Sequence, residues 1–173
     1  MHKSTLFLLV GIPGAGKTTA SKLIADITGA SHIWADYERR TIHQQPTYTQ
    51  KENDELYNRL NSRASELLQR GCSVIFDTAF NHYHDRQKLR EIAASHNAQT
   101  VVVWVQVPKS TAKIRAQNSH HHSHTRILGD MSDEHFHALS DKLEEPKADE
   151  RTIILDGTIL TKPYVSEKLS EIL

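Results

Sequence analysis

Cysteine is almost missing from this chain of 173 residues. Cys72 stands alone, so no disulfide framework can form within the chain. It precedes an apolar run, where a buried, unreactive thiol is expected. Long hydrophobic runs are missing as well. The stretch from Leu6 to Val10 is too short for a signal peptide or a membrane span, so the expectation is a cytoplasmic protein without a membrane partner. Net charge is missing too: Lys plus Arg and Asp plus Glu both number 21. That balance argues against a protein that coats nucleic acid non-specifically. There are no internal repeats, no low-complexity linker and no second hydrophobic unit, so residues 1–173 read as one domain.

What the chain does have is apolar runs at regular intervals. Thr5 to Val10, Ser31 to Ala35, Val74 to Phe76, Thr100 to Val107 and Thr152 to Leu155 read as strands. Helical spacing marks 18–27, 53–70, 85–96, 110–118, 133–143 and 165–173 between and after them. Strands alternating with helices predict an α/β fold with a parallel sheet covered on both faces. The segments 41–50 and 118–131 read as irregular. In such a sheet, ligands lie beyond the carboxyl ends of the strands, so functional residues are sought directly after each strand.

The first strand is followed by Gly11-Ile12-Pro13-Gly14-Ala15-Gly16-Lys17-Thr18, with Thr19 next. The pattern G-x-x-x-x-G-K-T between a strand and a helix is the phosphate-binding loop. Its glycines let consecutive backbone N–H groups converge on one anion, and the helix beginning near Lys17 adds the positive end of its dipole. Lys17 is expected at the β and γ phosphates and the Thr18 hydroxyl on Mg²⁺.

Strand two ends in Asp36, with Arg39 three residues on. A carboxylate there can take the proton of an attacking hydroxyl, and Arg39 can hold the acceptor or its phosphate. The alternative is a helix N-cap with a surface neighbour. Strand three ends in Asp77, the Walker-B pattern, which holds Mg²⁺ or positions the acceptor. Asn81 and Arg86 lie just beyond it as further candidates. The stretch 81–126 is basic and rich in histidine, whereas 127–173 is acidic. Within it, Arg115 and Arg126 flank a polar segment that is expected to fold as a lid over about 112–131 and to place cations on a transferred phosphoryl group. The His120–His124 cluster reads as a solvated lid tip rather than a structural metal site, since no cysteine partners it.

Taken in order, Gly11–Thr18, Asp36-x-x-Arg39, Asp77 with Asn81 and Arg86, and the Arg115/Arg126 segment resemble the P-loop kinases of the predicted-kinase group often labelled "AAA family ATPase". That group resembles zeta-toxin and gluconate-kinase-like proteins and the kinase domain of polynucleotide kinases. The resemblance implies a three-layer α/β/α P-loop NTPase fold with a five-stranded parallel sheet in order 2-3-1-4-5. It implies Asp36 as the base, Arg39 on the acceptor side, Asp77 near acceptor or Mg²⁺, and the lid arginines on the donor; with Arg40 next in the chain, either arginine fits the acceptor role. It also implies that Asp156, Gly157 and Thr158, after strand five, border the adenine. A ring-forming mechanical ATPase is not implied, because the chain lacks room for the small helical domain of such rings.

The expectation is therefore an ATP- and Mg²⁺-dependent kinase acting on a hydroxyl of a small molecule or of an acceptor still to be assigned. A polynucleotide 5′-hydroxyl kinase is one alternative, and a nucleotide-dependent switch with no acceptor is another. A switch needs no acceptor base, which sets Asp36 against it.

Overall fold

The computed structural model describes residues 3–118 and 131–173. Five strands form one parallel sheet: β1 (Thr5–Val10), β2 (Ser31–Trp34), β3 (Val74–Asp77), β4 (Gln99–Gln106) and β5 (Thr152–Asp156). Their order is β2-β3-β1-β4-β5, as the resemblance implied. The central strand β1 is buried along its whole length, which is why its sequence is continuously apolar rather than alternating.

Alternate residues of β1 supply two cores. Phe7 and Leu9 pack with Ile75, Val103 and Val105 beneath helices α1 (Lys17–Thr28) and α7 (Lys162–Ser170). Leu6 and Leu8 pack with Val74 and Phe76 beneath α3 (Gln50–Gln69) and α4 (Tyr83–Ser95). In α3 the buried stripe is Leu56, Leu60, Ala64 and Leu68, and the Thr49 hydroxyl caps the helix by accepting from the Glu52 N–H. Helices α5 (Lys109–Gln117) and α6 (Asp133–Ser140) meet in a small cluster of Ala112, Ala116 and Phe136 beside Ile12.

Some local expectations shift. An additional helix, α2 (Ala35–Ile42), begins immediately after β2, so only 43–49 is irregular before α3. Helix α6 stops at Ser140, before Leu143. The chain turns there, Leu143 N–H donating to the Ser140 carbonyl, and the next N–H, from Glu144, reaches the Asn81 carbonyl at 2.7 Å. Cys72 is exposed, not buried. It lies in the turn after Gly71, whose φ of 77° swings the chain outward before β3 begins at Val74.

One buried ion pair ties α4 to the segment before β5. The Arg86 guanidinium donates from Nε and Nη2 to the Glu150 carboxylate, at 2.7 and 3.0 Å. Its other bonds go to the carbonyls of Phe80, Glu144 and Glu145. Arg86 is fully buried, so removing it strands a buried carboxylate. Arg86→Leu is expected to lower the unfolding free energy by about 3–5 kcal/mol, read from urea melts.

Candidate active site

Beyond β1 the backbone curls through residues 11–16, closing with a bond from Ala15 N–H to the Ile12 carbonyl at 3.1 Å. Gly14 and Gly16 hold φ values of 81° and 107°, a region that side chains rarely tolerate. Space alone would also exclude a side chain at Gly14, where a Cβ would lie 2.2 Å from the Ala112 carbonyl oxygen of α5. Gly16 is the N-cap of α1, so the loop delivers the chain directly to a helix N-terminus. The Lys17 ammonium folds back over the loop and donates to the carbonyls of Gly11 and Ile12, at 2.9 and 3.0 Å.

Asp77 closes β3 opposite this helix. The Thr18 hydroxyl donates toward its Oδ1 at 3.4 Å, and the His32 ring pairs with its Oδ2 at 2.9 Å. A hydroxyl and a carboxylate facing one another suit Mg²⁺, which takes few protein ligands and keeps water and phosphate oxygens for the rest. Among the described residues no group of three or more His, Cys, Asp or Glu could hold a metal by itself. The loop's glycines, Lys17 and the Thr18–Asp77 pair fit a magnesium–nucleotide complex.

Asp36 lies in the first turn of α2. Partial desolvation in the cavity wall pushes its carboxyl above the usual value of 3.8, and the nearby Asp77 carboxylate adds to the rise. Arg39, Lys17 and Arg40 oppose it. The sign of the linked stability follows. The folded chain binds the Asp36 proton more tightly than the unfolded chain, so stability falls as pH rises from 3.8 through the shifted value and stays lowered above it. Asp36→Asn is accordingly expected to raise the melting midpoint at pH 7, with the gain shrinking as pH falls toward 3.8. Parallel melts of both proteins across pH check this.

A cavity of about 520 Å³ brings most of the expected residues together. Pro13, Gly14, Gly16, Lys17, Thr18 and Thr19 form one wall, and Asp36 and Asp77 face it. Arg115, Gly157 and Thr158 border its far end. There the Arg115 guanidinium donates to the Gly157 carbonyl at 3.0 Å. Gly157 packs closely on the loop: a Cβ would lie 2.1 Å from the Ala15 carbonyl oxygen. Asp156 turns from the cavity and caps its own turn, accepting from the Thr158 N–H and hydroxyl at 2.8 and 2.6 Å. A larger hollow, of about 720 Å³, lies over β4 and β5 on Trp104 and Ile154. Neither Lys17, Asp36 nor Asp77 lines it; the candidate residues gather in the smaller cavity.

Other expected residues stand elsewhere. Arg39 is buried: it donates to Glu52 and to Asn53, both at 2.7 Å, and stacks 4.7 Å over the Tyr48 ring. The Thr47 N–H, with Arg39, holds the Glu52 carboxyl down at about 2, so this ion pair is fully charged at neutral pH. Arg86 is correspondingly a buried strut and lies off the cavity. The Asn81 carboxamide brackets Gly11 instead of facing the cavity. Arg126 and the His120–His124 cluster lie outside the described residues.

Sequence reasoning overlooked His32, Glu52 and Asn53. His32 carries a faint signal, since alternate residues of β2 share a face with the end of β3 once the register Trp34 to Asp77 is known. Glu52 and Asn53 carry none, because only the folding of α3 against α2 brings them to Arg39.

The sheet order, the glycine loop between β1 and α1, and the carboxylates at the start of α2 and the end of β3 define a P-loop-kinase-like fold. Residues 6–146 match the family model described as AAA domain, and the chain belongs to that family. No curated protein matches the sequence significantly. Several solved structures share the fold. A sugar kinase from Janibacter sp. is 20% identical, with a TM-score of 0.69 over 99% of this chain and 94% of that one. A gluconokinase from Sinorhizobium meliloti is 21% identical, with a TM-score of 0.63 over 98% and 91%. The Mycobacterium tuberculosis APS kinase, solved with AMPPNP and APS, is 15% identical, with a TM-score of 0.68 over 99% and 98%. Among the described residues no helix is long and apolar enough to cross a membrane.

Proposed function

We propose that this chain is an ATP- and Mg²⁺-dependent phosphotransferase that moves the γ-phosphoryl group of ATP to a hydroxyl of a small molecule. The observation that carries this reading is Asp36, a carboxylate that faces the phosphate loop across the same cavity. A switch that only binds and releases nucleotide has no use for such a group. In this reading the loop amides, Lys17 and Arg115 hold the donor phosphates, with Arg126 as a further cation. Thr18 and Asp77 hold Mg²⁺, which neutralises phosphate charge when bound. Asp36 takes the proton of the acceptor hydroxyl. Gly157 and Thr158 flank the adenine end of the cavity. The solved sugar kinase, gluconokinase and APS kinase are named for small-molecule substrates, which supports the choice of acceptor class.

Arg39 also bears on the acceptor. A nucleic-acid end would place a phosphate near Asp36 and needs a cation for it. Arg39 is instead held by Glu52 and Asn53, which counts against Arg39 in that role. The test is transfer from γ-labelled ATP, with wild type and Asp36→Asn, to pooled sugars, polyols and nucleosides and, in parallel, to 5′-hydroxyl RNA and DNA. Asp36-dependent label in the small-molecule pool supports the proposal. Label on the oligonucleotides alone assigns a polynucleotide kinase. ATP binding with no transfer to any acceptor supports the switch.

A further inference from the structure

We propose that Asn81 is a positioning residue of the phosphate loop, acting through Gly11 on Lys17; this rests on reading residues 11–18 as a nucleotide-binding loop. The pairing of β1 with β3 ends at Leu8 and Phe76. Past that point the chain of β3 swings away, yet the ladder continues in two more steps. The Phe80 N–H donates to the Leu9 carbonyl at 2.9 Å. The Asn81 carboxamide then stands in for a peptide group. Its Oδ1 accepts from the Gly11 N–H and its Nδ2 donates to the Gly11 carbonyl, both at 3.1 Å. A side-chain amide has one acceptor and a donor at nearly peptide geometry, which is why asparagine can extend a strand ladder by one residue.

The consequence lies one bond further on. The Gly11 carbonyl that Asn81 fixes is also the one that accepts from the Lys17 ammonium, at 2.9 Å. Gly11 is confined on its other side as well, since a Cβ there would lie 2.9 Å from the Val105 carbonyl oxygen of β4. The root of the loop is thus held between β4 backbone and the Asn81 side chain. Asn81 is itself anchored: its carbonyl accepts from Glu144 N–H, and Arg86 holds the neighbouring Phe80 carbonyl at 2.8 Å. Loss of the carboxamide leaves a buried N–H without its acceptor and frees the loop root to shift, and the lysine shifts with it.

The test measures Mg·ATP binding by calorimetry, without any acceptor, for wild type, Asn81→Ala, Asn81→Asp and Lys17→Ala at pH 7.5, alongside each protein's melting midpoint. Asn81→Ala is expected to weaken ATP binding about tenfold to a hundredfold. Asn81→Asp, of the same size, keeps the acceptor for Gly11 N–H but sets a carboxylate oxygen against the Gly11 carbonyl. It is expected to lose at least as much affinity, and it carries the test if the alanine variant does not fold. A lower melting midpoint with unchanged ATP affinity in the folded protein overturns the inference, because that is a structural role alone. An altered acceptor KM with unchanged ATP affinity also overturns it and returns Asn81 to the acceptor side. If wild type binds no ATP, or Lys17→Ala binds as wild type does, the nucleotide-loop reading fails and the inference falls with it.

Discussion

Lys17→Ala will reduce phosphoryl transfer on the order of a thousandfold or more. The reasoning is electrostatic. Charge spreads over the oxygens of the transferred group in the transition state, and a preorganised cation in a partly desolvated cavity stabilises it more than it stabilises the ground state. Lys17 is the residue of the loop that supplies a full positive charge. Its ammonium is already held over the loop by the Gly11 and Ile12 carbonyls, so little reorganisation is needed on binding. Nucleotide affinity should fall as well, because in the proposed reading the same ammonium would also meet the ground-state phosphates. Single-turnover transfer with saturating ATP separates the two losses. A variant that transfers at the wild-type rate once saturated would show that Lys17 only binds.

Asp36→Asn will slow transfer by about 10² to 10⁴-fold while leaving ATP affinity nearly unchanged. Asparagine keeps the size of the side chain and removes its basicity. The wild-type rate should climb with pH through a value raised above the usual 3.8, because partial desolvation and Asp77 raise the Asp36 carboxyl. In the variant that limb should disappear. Full transfer activity in Asp36→Asn sinks the base assignment. The same substitution is expected to stabilise the fold at neutral pH, so a loss of activity beside a higher melting midpoint separates chemistry from misfolding.

The parts of the molecule that were legible in the sequence share a cause. The continuous apolar run of β1, the glycine spacing after it and Gly29 at the end of α1 are each dictated by the local backbone. Gly29 adopts φ 70° and returns its N–H to the Ala25 carbonyl, a helix stop that needs no distant partner. Helix α2 was harder to read because it begins at Ala35 with no break after β2 and no side-chain cap. The end of α6 at Ser140 was not legible either, nor was the turn beyond it that brings Glu144 to Asn81 on another part of the chain.

The same division runs through the candidate site. Residue types and their order along the chain were enough to place a phosphate loop after β1 and carboxylates after β2 and β3. Sequence alone therefore determined the parallel α/β architecture and the end of the sheet where a ligand would bind. Only the tertiary structure decided which candidates face the cavity and which hold the protein together. Asn81 meets Gly11 across 70 positions, Arg86 meets Glu150 across 64, and His32 meets Asp77 across 45. Such pairings depend on strand register and on how helices pack over the sheet. A local window of residues carries no information about either. An arginine after an apolar strand reads the same whether it will bind a phosphate or be buried against a glutamate, and the difference is made by what the fold packs beside it.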